Sequence, residues 1–179
     1  MQTLYVTIYC LPLGATAIAL LAVTLAWCAV RRWMGRRNRA GQRRVKLVMA
    51  LALALWLAAI LHMTVFSRTP GTPEAELMPL HQLWVYFHGG SRELLRTLWM
   101  NVLLFTPGGL LLAALWPEQW RRSRRFWLTV VLLTAVSGGI EWVQFHFGLG
   151  LAETDDVLCN ALGAILGAIM NRAADLEDT

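Results

Sequence analysis

Along the chain, long apolar blocks alternate with short polar ones. Residues 4–30, 45–66, 94–116, 126–147 and 157–172 are apolar, and the first four are long enough to cross a bilayer, which takes about 20 residues. The fifth is shorter. The segments between them are 31–44, which is basic, 67–93, which holds Pro70, Pro73 and Pro79, 117–125, which is basic, and 148–156, which is acidic. Alternation of this kind predicts an all-α, polytopic membrane bundle of about five transmembrane helices. The first block resembles a secretory signal, but MQTLY carries no basic residue and no small-x-small cleavage site follows, so a true span is expected. The expected organisation is an N-terminal helix with its basic loop (1–44), a four-helix membrane domain (45–172) and a polar tail (173–179).

The polar residues inside these blocks follow helical spacing. Ser137, Glu141, Gln144 and Gly148 recur at intervals of 4, 3 and 4, and so do Asp156, Asn160, Gly163 and Gly167. Each set falls on one helical face. An antiparallel hairpin of the last two helices would bring the two faces together. Glu141 lies well inside its block, where a carboxylate costs about 2.5–3.5 kcal/mol on the mildest insertion scales. Gly163-x-x-x-Gly167 is a close-packing pattern. Pro107 removes a backbone hydrogen bond within the third span and is expected to kink it.

Composition supports the membrane reading. The chain has 179 residues, is 57% hydrophobic, and contains nine tryptophans, a residue that favours membrane interfaces. The net charge of +5 does not point to nucleic acid, because the arginines lie between apolar blocks. Their distribution instead orients the chain. Eight of the sixteen basic residues lie in 31–46 and four in 121–125, whereas 67–93 holds Arg68 and Arg92, and 148–156 holds none. The positive-inside rule then places the N-terminus outside, the C-terminus inside, and loops 67–93 and 148–156 outside.

With that orientation, Arg68, Asn101, Glu141, Gln144, Asp155, Asp156 and Asn160 all fall in or near the outer leaflet. Together they form a candidate hydrogen-bonded cluster. Each also has a structural reading. Asp155 and Asp156 suit a helix start with Thr154 as N-cap, Arg68 suits a snorkelling cation, and Asn101 suits an interhelical strut. Cys10, Cys28 and Cys159 show no metal spacing, and neither do His81, His88 and His146. No metal or cofactor is expected. The chain holds no nucleophile elbow, P-loop or glycine-rich nucleotide fingerprint.

Three segments resemble the VanZ-like family of membrane proteins. They are Ser67-Arg68, the run Asn101-Val102-Leu103-Leu104-Phe105-Thr106-Pro107-Gly108-Gly109, and Glu141-x-x-Gln144 followed by Asp155-Asp156-Val157-x-x-Asn160-x-x-Gly163-x-x-x-Gly167. The resemblance covers roughly residues 56–170. One departure stands out. The family usually has an Arg in the loop before the Asp-Asp pair, and here Gly150 or Leu151 takes that place, with Glu153 as the neighbouring acid. If the family's Arg binds an anion, this chain either lacks that capacity or draws the cation from Arg68 or Arg92. The resemblance implies a protein of the bacterial cytoplasmic membrane with a role in teicoplanin-type glycopeptide resistance or cell-envelope homeostasis. The implied partners are membrane lipids, lipid-linked cell-wall precursors or the antibiotic. An intramembrane enzyme using Glu141 and Asp156, and a small transporter or flippase subunit, stay open as alternatives.

Overall fold

In a computed structural model of the chain, the described residues are 27, 29–30, 33, 39–89 and 92–176. Five helices and one small sheet account for most of them. Helix α1 (Arg39–Leu61) runs into a π turn (His62–Phe66). Strand β1 (Glu74–Glu76) and the short helix α2 (His81–Phe87) follow, then α3 (Arg92–Leu115), α4 (Arg122–Phe147), strand β2 (Leu151–Glu153) and α5 (Thr154–Leu176).

Three helical segments are long and apolar enough to cross a membrane: Ala40–Phe66, Glu93–Leu115 and Arg122–Phe147. These are the second, third and fourth expected spans. The first lies outside the described residues apart from Trp27, Ala29 and Val30. The fifth corresponds to α5, a 23-residue helix that is not among the three. It is polar at both ends, with Asp155, Asp156 and Asn160 at one and Asn171 and Arg172 at the other.

Helix α5 lies against α3 along its length. Glycine makes this contact close. A Cβ at Gly109 would run into the Ala164 backbone, one at Gly163 into the Val102 carbonyl, and one at Gly167 into the Thr106 carbonyl and the Leu110 amide. The small-residue stripe of the last helix therefore packs on α3. This corrects the hairpin expectation, in which the whole stripe would have faced α4. Ile60, Phe105, Leu133, Ile140 and Ala164 form the buried centre, with contributions from α1, α3, α4 and α5. The helix α3 continues through Pro107. There the Trp56 indole donates to the Leu104 carbonyl at 2.9 Å. Its ring fills the space a side chain at Gly108 would need.

The all-α expectation needs one amendment. Loops 67–80 and 148–153 meet in a parallel two-stranded sheet, with Glu74, Ala75 and Glu76 opposite Leu151, Ala152 and Glu153. The end of α4 prepares this pairing. Gly148 adopts φ +62, its N–H donates to the Phe145 carbonyl, and the Leu149 N–H donates to the Gln144 carbonyl at 2.8 Å. This is a Schellman cap, which favours glycine at the left-handed position. The Gly148 carbonyl then accepts the Gly71 N–H at 2.7 Å, joining the two loops backbone to backbone.

Candidate functional site

The sheet end of the bundle collects the polar residues, and the structure divides them into two groups. In the first, four segments converge. Asn101 of α3 donates its amide to Asp156 Oδ1 of α5 at 2.6 Å. Glu141 of α4 accepts the Glu153 backbone N–H on Oε2 at 3.0 Å. Glu153 and Asp156 raise the negative potential around Glu141, and the positive charge of Arg68 acts on both Glu141 and Asp156. Both carboxylates are half-buried. Each has one oxygen held by the protein. The other oxygen of each takes no hydrogen bond among the described residues.

Arg68 follows the π turn at the end of α1. In that turn the Ser67 N–H reaches back five residues to the His62 carbonyl at 2.8 Å, and the Thr64 and Ser67 hydroxyls donate to the Ile60 and Met63 carbonyls. Arg68 is exposed and makes no ion pair within 4.0 Å among the described residues. Its Nη1 is the nearest atom that a side chain at Gly150 would meet. Gly150 itself sits at φ +139, a backbone conformation available mainly to glycine. The guanidinium thus occupies space that any other residue at 150 would claim.

The second group points elsewhere, although it belongs to the same predicted set. Asp155 is 3% exposed, and its two oxygens accept the backbone N–H groups of Leu80 and Gln82. It does not cap its own helix in these contacts; it caps the start of α2, 75 residues upstream in sequence. Gln144 donates to the Thr64 carbonyl at 3.0 Å and so pins the π turn. Asn160 donates to Ser137 Oγ at 2.8 Å, a buried link between α5 and α4. The side chain of Arg92 lies outside the described residues.

Three participants were not among the sequence candidates. Gln82 is buried and donates its amide to Glu153 Oε2 at 2.5 Å. Thr64 supplies the carbonyl for Gln144. Ser137, on the first polar stripe, supplies the hydroxyl that accepts the Asn160 amide. Nothing around Gln82 in the sequence marks it, since its role depends on a loop folding onto a distant helix start. Among the described residues, no three His, Cys, Asp or Glu side chains come together in a way that could hold a metal ion.

Three helices long and apolar enough to cross a membrane, packed around one buried centre, are the architecture of a helical membrane bundle. A family model described as VanZ/LLP1 matches residues 45–174, and the chain belongs to that family. No curated protein matches, and no solved structure does.

Proposed function

We propose that this chain is a multi-pass protein of the bacterial cytoplasmic membrane that binds the head group of a lipid or amphiphile at the outer leaflet. Through that binding it contributes to teicoplanin-type glycopeptide resistance or to cell-envelope homeostasis. One observation carries the reading. Glu141 and Asp156, from different helices, each keep one carboxylate oxygen without a hydrogen bond among the described residues, beside an exposed guanidinium that makes no ion pair among them. A network serving only as helix glue would engage these groups fully, because an unsatisfied polar group in hydrocarbon is costly. An arrangement of free carboxylate oxygens and a free cation suits a head group carrying both charges. Amphiphilic antibiotics and lipid-linked wall precursors reach such a site from the outer leaflet.

The departure at Gly150 or Leu151 fits this reading. Where the family resemblance implies a loop Arg, the Arg68 guanidinium lies against Gly150. Arg68 then supplies the cation that the loop lacks, and the site keeps its mixed charge.

The test is antibiotic susceptibility in a sensitive host carrying wild type, Glu141→Gln, Arg68→Ala or an empty vector, with membrane levels matched. Wild type is expected to protect against teicoplanin and both variants to lose that protection. Equal protection by wild type and both variants would leave the cluster as helix packing and end the binding proposal.

A further inference from the structure

Helix α2 presents an uncovered apolar stripe. Leu80, Trp84 and Phe87 are spaced i, i+4 and i+7, and each is more than half exposed. Leu77 and Met78, just before the helix, are exposed too. No charged residue lies on this stripe, and the Trp84 ring stacks on His88 at 4.2 Å. The opposite side is fixed to the bundle. Gln82 is buried with its backbone N–H on Asp155, and Leu83 packs on the cluster of Leu98, Val102 and Cys159.

That packing sets the depth of α2. Leu98 and Val102 lie five and nine residues past Glu93, where the apolar segment of α3 begins. At about 1.5 Å per residue they are roughly 8 and 14 Å along it. Helix α2 therefore lies beside the first turns of a spanning helix and not above them. Phe66 of the π turn and Phe145 and Phe147 of α4 are exposed apolar residues at the same end of the bundle. The spans likewise turn apolar residues outward, among them Leu51, Leu55, Val131 and Trp142. Aromatic and apolar side chains at that depth match the interfacial zone of a bilayer.

We infer that α2 is an interfacial helix, with Leu80, Trp84 and Phe87 seated in the head-group and acyl boundary of the lipid. The inference rests on the helices crossing a membrane and not on the identity of any bound amphiphile. Asp155 holds α2 in place, and Asp156, the next residue, belongs to the polar cluster. Lipid contact at α2 is therefore fixed by the first turn of the helix that carries a cluster carboxylate.

The experiment places a nitroxide at positions 80, 84 and 87, one at a time, in the full chain freed of its native cysteines and reconstituted into lipid nanodiscs. Thr72 and Leu55 serve as reference positions, Thr72 in the polar loop and Leu55 exposed midway along α1. Accessibility to oxygen and to a water-soluble nickel chelate is read by power saturation. Positions 80, 84 and 87 are expected to favour oxygen several-fold more than Thr72 does. Nickel accessibility like that of Thr72 overturns the inference, because the stripe is then in water. Protection from both reagents also overturns it, because protein then covers the stripe. Nickel access at Leu55 sinks the membrane-spanning reading itself and is told apart from either result.

Discussion

Asp155 and Asp156 are neighbours in sequence with opposite predicted roles, and exchanging each for Asn separates them. Asp155 is almost fully buried and gives one oxygen to each of two backbone N–H groups. Asn at 155 keeps one acceptor and turns an NH₂ toward the other N–H. A hydrogen bond to a charged acceptor contributes about 1.5–3 kcal/mol, and a buried donor left unmade costs about 1–3 kcal/mol. Loss of one bond and weakening of the second gives about 2–4 kcal/mol. Release of the buried charge from its desolvated site keeps the figure at the lower half of that range. About 3 kcal/mol corresponds to roughly 150-fold in an opening equilibrium. The effect is expected to be local, since α2 and the small sheet hang on these bonds while the α3–α5 contact does not. Hydrogen exchange of the purified protein in detergent is the assay. Amides from Leu80 to Phe87 should lose about two orders of magnitude of protection in Asp155→Asn, with α3 and α5 unchanged. Asp156→Asn retains an acceptor oxygen for the Asn101 amide, so its protection should change by less than tenfold while the susceptibility phenotype disappears. Twofold or smaller changes at Leu80 and Gln82 in Asp155→Asn would refute the capping argument. So would a phenotype lost in Asp155→Asn with its exchange intact.

Other outcomes follow from the same packing. Gly163→Ala and Gly167→Ala drive a methyl into the α3 backbone, and each is expected to lower stability by about 1–3 kcal/mol, read as an earlier SDS-unfolding midpoint. Ser137→Ala removes the hydroxyl that takes the Asn160 amide and should cost about 1–3 kcal/mol, whereas Ser137→Ala with Asn160→Leu should recover much of it. Gly150→Ala meets both a positive φ and the Arg68 guanidinium, so about 1–2 kcal/mol of lost stability together with weakened teicoplanin protection is expected. Gln144→Leu frees the Thr64 carbonyl, and faster exchange confined to the residues around the π turn is the expected sign.

The local facts were legible in the chain. Apolar runs of spanning length can only be helices in lipid, because every backbone group must be satisfied within the segment. The sequence therefore determined the three long helices, the glycine stripe at 163 and 167, and the concentration of acids and amides at one end. Helical period also determined that residues such as Asp156 and Asn160 share a face. What period leaves open is which neighbour that face meets. Asp155 and Asp156 stand about 100° apart around α5, so one reaches down the loop to α2 and the other to Asn101. Gly163 and Gly167 turn to α3, while Asn160 on the same stripe bonds Ser137 of α4. Loops 67–80 and 148–153 pair as strands where Gly148 leaves room for the Gly71 backbone, and no periodic signal exists in segments of three residues. Only the tertiary structure decided these partnerships. They depend on how the helices are rotated and offset against one another, and contacts between residues far apart in sequence set that geometry.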